Sequence, residues 1–343
     1  MQKRTIITIL LTITILSAPL LMATPNLTPK IAQAYYNGTI YNNSIILVGL
    51  NDYGVLGVYN TTIGSVGIQY PIGSNYESVA AGWWGDGWSI FYNASSAGFS
   101  PSDDPWGTLV GVTPTVSINM TGDGLLFTTL MTTNDSLVQI TIKILIPNNS
   151  QYLVKWFKIT NIGNTTLSNV EIKNIVDWDV WEPLVGYDDY WGLDSIRRPE
   201  LHLAVAFVNT SIAPGTAYFG YATLEAPTAV DLNWDDYTVR GITAPTIAYI
   251  QPNGTTNLYI DGAVVYDWQI GDLKPGESYT IHMVYAAADT LNTLESNVAQ
   301  AFKLFTKPSI GGELAISNDT NLLTQIAIMT TIALSAVIVI KKF

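Results

Sequence analysis

The stretch "QITIKILIPNNSQYLVKWFKIT" (139–160) decides the fold. Within it Gln139-Ile140-Thr141-Ile142-Lys143-Ile144 alternates polar and apolar residues, which puts Ile140, Ile142 and Ile144 on one face of an extended chain. Pro147-Asn148-Asn149 then supplies turn chemistry, and Tyr152–Thr160 resumes a strand. The spacing therefore predicts an antiparallel β-hairpin.

Working outward, the same signal recurs at Ser44–Gly49, Trp88–Asn93, Asn169–Ile175, Leu201–Val208, Thr216–Tyr221, Thr246–Ile250 and Ser278–Ala286. Turn pieces such as Asn161-Ile162-Gly163-Asn164 and Lys274-Pro275-Gly276-Glu277 stand between them. Many short strands with Gly, Pro and Asn turns predict an all-β chain, a large two-sheet antiparallel sandwich. One amphipathic helix is expected near the C-terminal end. From Thr290 to Phe305, Leu291, Leu294, Val298, Phe302 and Phe305 share one stripe, with Asp289 as its cap, and the helix is expected to pack across a sheet.

The ends read as targeting segments. Lys3 and Arg4 precede an apolar run to Leu21, and Ala32-Gln33-Ala34 offers small residues, so 1–34 is expected to be a signal peptide cut before Tyr35. An uncleaved anchor is the alternative. Leu322–Ile340 is free of charge over 19 residues, about 28 Å as a helix, and Lys341 and Lys342 follow it. A single transmembrane helix (321–343) with a short basic cytoplasmic tail and an extracellular main domain is expected. A sorting signal exchanged for a lipid has the same pattern. Residues 35–305 then form one sandwich domain, and 306–320, with Pro308, Gly311 and Gly312, a stalk.

Composition agrees with an exterior location. Asn37, Asn42, Asn60, Asn93, Asn119, Asn134, Asn148, Asn164, Asn209, Asn253 and Asn318 each open an N-x-S/T triplet and are candidate glycosylation sites. No cysteine is present, so disulfides and thiolate metal sites are excluded. All 27 acids lie between the apolar ends, against 15 bases of which Lys3, Arg4, Lys30, Lys341 and Lys342 fall outside that span. A nucleic-acid partner is disfavoured by this sign of charge, and cations are the natural counterpart. No G-x-S-x-G, P-loop or dinucleotide fingerprint is present, and two histidines without cysteine leave little for zinc.

Two segments carry a resemblance. "WFKITNIGNTTLSNVEIKNIVDWDV" (156–180) joins a strand, a T-N-x-G turn and a strand ending in D-W-D, and "IGDLKPGESYTIHMVYAAADTLNTLESNVAQA" (270–301) joins a P-G-E-S turn, a last strand and a helix. This order resembles a broad group of uncharacterised secreted and cell-surface β-sandwich proteins of bacteria and archaea. It is also similar to the supersandwich domains of the galactose-mutarotase-like class. The resemblance implies a supersandwich-like fold over most of 35–305. Mutarotase chemistry does not carry over, because His202 and His282 stand in no matching motif and read as satisfied strand residues.

The acids and tryptophans after residue 176 are the candidate site. Asp177 and Asp179 project from one strand face, with Trp178 and Val180 on the other. Glu182, Asp188 and Asp189 follow, enough oxygen to hold Ca²⁺, though the same acids would also cap a strand and solvate a loop at a polar rim. As a pair Asp177 and Asp179 are also candidate catalytic carboxylates for glycoside chemistry. Trp83, Trp84, Trp178, Trp181 and Trp234 are candidate sugar-stacking residues, whereas Trp88 and Trp156 read as core. Two functions follow as expectations. The first is a glycosylated, membrane-anchored cell-envelope protein with a surface-layer, adhesive or filament-associated role, built through self-association, envelope partners or Ca²⁺ bridges. The second is an extracellular carbohydrate-binding or carbohydrate-processing protein with an Asp/Trp cleft. Only the second would involve catalysis.

Overall fold

The strand Val138–Pro147 keeps the alternation expected of it: Val138, Ile140, Ile142 and Ile144 are buried, while Gln139, Thr141 and Lys143 are partly exposed. It pairs with Tyr152–Asn161 in the register Val138↔Asn161 to Leu145↔Val154, so the hairpin forms as predicted. The computed structural model describes residues 38–60, 64–72, 79, 86–100, 104–178, 180, 193–194, 201–208, 217–233, 257–258 and 263–306. These all belong to one compact unit, Ile31–Phe343.

Two large sheets dominate, and every pairing in them is antiparallel. The first has nine strands in the order Asn257–Leu258, Leu193–Asp194, Leu203–Val208, Ala217–Thr223, Ser278–Ala288, Tyr152–Asn161, Val138–Pro147, Gly124–Thr132 and Thr115–Met120. The second has six, in the order Ala229–Asn233, Ala263–Leu273, Leu167–Asp177, Asp86–Tyr92, Ser95–Ser100 and Asp104–Gly107. A small sheet of Gly38–Asn42, Leu47–Asn51 and Ile68–Gln69 and the hairpin Val58–Asn60/Gly64–Val66 complete the described strands.

The sheets face each other across one core. Trp88 of the six-stranded sheet meets Phe157 of the nine-stranded sheet edge-on at 5.3 Å. Tyr266 meets Tyr221 across the same core with tilted rings 4.9 Å apart. Such aromatic pairs add about 0.5–1.5 kcal/mol each beyond the area they bury.

The other face of the nine-stranded sheet carries the helix α1, Leu291–Phe302, continued as a 3₁₀ turn over Lys303–Thr306. Leu294, Val298, Ala301 and Phe302 are buried against Leu145, Val154, Leu203 and Val284. Trp156 lies on this face, half-buried, with Phe305 edge-on at 5.1 Å, so it belongs to the helix seat rather than to the inter-sheet core. The cap differs from expectation. Thr290 accepts the Thr293 backbone N–H, whereas Asp289 accepts the Tyr70 hydroxyl at 2.8 Å. Thr290→Ala is therefore expected to cost about 1 kcal/mol, read as a lowered midpoint in urea denaturation.

Among the described residues no helix is long and apolar enough to cross a membrane. The expected signal peptide (1–34), stalk (306–320) and transmembrane segment (321–343) lie outside the described residues, apart from Thr306, as does the predicted strand Thr246–Ile250. The strand predicted from Leu201 starts at Leu203, because His202 has φ 42° and lies in the preceding turn.

Candidate functional site

The D-W-D segment closes the strand Leu167–Asp177, whose last ladder pair is Asp177↔Ala263. Alternation sends Ile172, Asn174 and Val176 to the inter-sheet side and Glu171, Lys173, Ile175 and Asp177 to the other. Trp178 is fully buried, with its ring 6.0 Å from Phe219. Asp177 is only 4% exposed, so it is not part of a wet rim. Asp179, Glu182, Asp188 and Asp189, and with them Trp83, Trp84, Trp181 and Trp234, lie outside the described residues. Among the described residues no cluster of three carboxylates or histidines forms a metal-binding group.

What the structure does bring together is a charged group further back on the same strand face. Ala229, Asp267, Lys173, Ser89, Gly98 and Trp106 are successive cross-strand partners, which makes one row across the six-stranded sheet. The adjoining row on that face is Gln269, Glu171, Phe91 and Ser96. Partners in one row project from the same side, so these side chains converge although their positions span the sequence from 89 to 269.

Lys173 leans out of its own row toward the next. Its Nζ lies 3.6 Å from Glu171 Oε1 and 5.5 Å from the centre of the Phe91 ring. Trp106 sits 6.1 Å from Phe91 and fills the space left by the missing side chain of Gly98. A Cβ on Gly98 would approach the indole to 2.4 Å, so only glycine lets that ring lie flat on the sheet.

Asp267 and Lys173 are completely buried, and Glu171 nearly so. Burial is the main reason that the Asp267 carboxyl is pushed up to about 7. The charge and hydrogen bond of Glu171 push in the same direction, and the Lys173 charge offsets part of the rise. Asp267 can therefore hold or release a proton near neutrality, with a carboxylate and an ammonium beside it, which is the electrostatic make-up of a general acid–base group.

A second charged group is sealed between the sheets. Asp86 Oδ2 accepts the Leu56 backbone N–H at 3.0 Å and the Lys155 ammonium at 3.2 Å. Its Oδ1 accepts Asn174 Nδ2 at 3.0 Å and the Tyr285 hydroxyl at 2.9 Å. Four donors from both sheets and a loop satisfy one carboxylate, and the Asp86 and Lys155 side chains are each 1% exposed. This network locks the two sheets in register and offers a ligand no approach.

The histidines are structural. Glu225 accepts the His282 backbone N–H at 2.7 Å and contacts its Nδ1 at 2.6 Å, and the ring packs on Phe305. His202 Nδ1 lies 3.1 Å from the Thr223 carbonyl. Glu171, Lys173 and Asp267 are not among the sequence-predicted site residues. The available signal was a lone acid inside the apolar run "AVVYDWQI" (263–270) and a Glu/Lys pair two apart in "NVEIKNI" (169–175).

Among the described residues, the fold and site together define a mostly β protein with two large antiparallel sheets, one short helix and a buried charged row on the outer face of the six-stranded sheet. No family model and no curated protein sequence matches the chain. Among solved structures it is similar to a bacterial glucoamylase complexed with acarbose, at 10% identity and a TM-score of 0.44, over 80% of this chain and 37% of that one. It is also similar to a TPR-domain containing protein from Parabacteroides distasonis, at 11% identity and a TM-score of 0.39, over 82% and 50%. An alpha-mannosidase from Bacteroides thetaiotaomicron matches at 10% identity and a TM-score of 0.34, over 83% and 34%. The chain spans between about a quarter and a half of the length of the solved proteins it resembles.

Proposed function

We propose that this chain is an extracellular carbohydrate-binding or carbohydrate-processing protein of supersandwich type, with Glu171, Lys173 and Asp267 as its polar centre. The observation that supports this reading is the pairing of two buried carboxylates with an ammonium beside Phe91 and Trp106 on one sheet face. Sugar recognition uses this combination: charged and hydroxyl groups for the ring hydroxyls, aromatic rings for its apolar faces. Glu171 and Asp267 replace Asp177 and Asp179 as the leading carboxylates, because they are in mutual contact. The test is a glycan-binding and reducing-sugar-release screen on the full-length chain. Binding or release should fall at least tenfold in Glu171→Gln at unchanged circular dichroism. A natural chain that neither binds nor cleaves any glycan would overturn the proposal.

The location is also a proposal: a glycosylated envelope protein, anchored through 321–343, with a structural or adhesive role as the competing reading. The sequon residues Asn42, Asn93, Asn119, Asn134, Asn148 and Asn164 are all exposed, as glycan attachment requires. Peptide mass spectrometry with and without deglycosylation should find modified residues among these six. A Ca²⁺ site at Asp177, Asp179, Glu182, Asp188 and Asp189 belongs to the same reading. It requires that chelator lower the melting temperature of the natural chain and leave Asp177→Asn unmoved.

A further inference from the structure

We propose that Thr115–Met120, the outermost strand of the nine-stranded sheet, pairs antiparallel with the same strand of a second copy of this chain, about a two-fold axis through Ile118. The inference stands apart from the carbohydrate reading, whose residues lie on the six-stranded sheet.

The strand is held on one side only. It pairs with Gly124–Thr132 without a register break, from Thr115↔Leu130 to Met120↔Leu125, and among the described residues nothing pairs with its other side. Such an edge presents a row of backbone N–H and C=O groups to solvent. Its side chains are exposed as well, apart from the half-buried Val116. Among the described residues the exposed large apolar side chains are Val110, Ile118, Met120, Leu130 and Ile162, and all but Ile162 belong to this edge.

The apolar stripe of the strand is the core side of the sheet continued past its cover. Val116, Ile118 and Met120 stand opposite Thr129, Phe127 and Leu125. Those three partners are buried, whereas Ile118 is 45% and Met120 65% exposed. The core therefore stops one strand short of the sheet edge and leaves apolar surface for something else to cover.

Two features select a second copy as the occupant. The first is the pattern: "TVSINMT" (115–121) alternates polar and apolar residues symmetrically about Ile118. A two-fold pair requires such symmetry, because residue i meets j and j meets i. In this register Ile118 meets itself, Val116 meets Met120 and Ser117 meets Asn119. Direct partners share a face, so the two apolar stripes become one and the two nine-stranded sheets become continuous. A slip of one residue would set apolar side chains against polar ones. The second feature is charge. Pro105 to Gly122 contains no charged residue, in a chain with 27 acids and 15 bases. Two acidic copies repel each other, so they approach at least cost along a neutral edge. An edge that must stay single is ordinarily protected by a charge, a proline or a bulge, and none lies within this strand.

The register has a consequence for Asn119, a sequon residue. The two copies of Asn119 would stand about 8 Å apart on one face, close enough for two branched glycans to collide. The paired form should therefore carry no glycan there.

The test uses the full-length chain in mild detergent. A strand pair of this length is smaller than a standard interface of about 1,600 Å², so protein mass is measured by light scattering at about 100 μM. The natural chain should be a dimer. Ile118→Lys should be a monomer at unchanged circular dichroism and melting temperature, since the side chain it replaces is largely exposed. The chain has no cysteine, so single-cysteine variants report the register directly. In Ile118→Cys the two thiols face each other across about 4.5–5.5 Å between Cα atoms, within disulfide reach. In Thr115→Cys they lie six residues out of step, about 20 Å apart. Oxidation should link the first at least tenfold faster than the second. A monomeric natural chain overturns the proposal, as does a dimer that survives Ile118→Lys, which would place the contact elsewhere. Equal cross-linking of the two cysteine variants, or a glycan on Asn119 in the dimer, overturns the register.

Discussion

Asp267→Asn should leave the protein more stable than the natural chain at about pH 8, by up to about 4 kcal/mol. The reason is the distance between the carboxyl's folded value of about 7 and its ordinary 3.8. Below about pH 4 the group is protonated whether the chain is folded or not, and it adds no pH dependence. Between about pH 4 and pH 7 the unfolded chain has released this proton while the folded chain still holds it. The folded state binds more protons, so stability falls as pH rises through that window and levels off above it. Asparagine is nearly isosteric and never ionises, so it removes the penalty. Lys173 keeps Glu171 as its partner, so no cation is orphaned by the change. Urea denaturation of both proteins at about pH 4.5, 6 and 8 checks this. The midpoints should nearly coincide at the lowest pH and separate steadily above it. Parallel curves would mean that Asp267 is ionised throughout, and the proton-holding role of the pair would be lost. Because the charge and hydrogen bond of Glu171 help to raise the Asp267 carboxyl, Glu171→Gln should narrow the same window.

That carboxyl also shows where sequence reading stops. The hairpin 138–161 was legible because one face of each strand is apolar and the alternation is visible. The strand Ala263–Leu273 was missed because Ala263 to Asp267 are buried on both faces, and a strand covered on both sides loses its period of two. The burial of Trp178 followed from parity along the strand, and the structure agrees. The burial of Asp177 could not follow, since parity says which side a residue faces and not whether that side is covered. Asp86 begins a strand and holds the inter-sheet network, a role that no local pattern encodes. The site itself depends on register. Lys173 meets Ser89 across 84 positions and Asp267 across 94, and no local pattern encodes either pairing.

Asp86→Asn should be the most damaging single substitution in the core, costing about 3–5 kcal/mol. It keeps the shape and some of the hydrogen bonds but strips Lys155 of its counter-charge at 3.2 Å, inside a core where that side chain is 1% exposed. Burial already pushes the Lys155 ammonium down, and Asp86 is what holds it up. Without Asp86 the lysine should fold as the neutral amine. The folded variant then binds fewer protons than its unfolded chain, so its stability should climb as pH rises toward about 10, over a wider pH range than in the natural chain, where Asp86 limits the fall of the Lys155 value. Lys155→Met should cost less, because Asp86 retains the Leu56 N–H, Asn174 and Tyr285 as donors. In the double variant both charges are gone and methionine fills the lysine's volume, so most of the loss should return. The four proteins form a cycle whose coupling, measured by chemical denaturation at about pH 7, should reach about 2 kcal/mol or more. Strict additivity would show that the two groups are already neutral in the natural fold. The network would then be held by hydrogen bonds alone, and the register of the two sheets would owe nothing to charge.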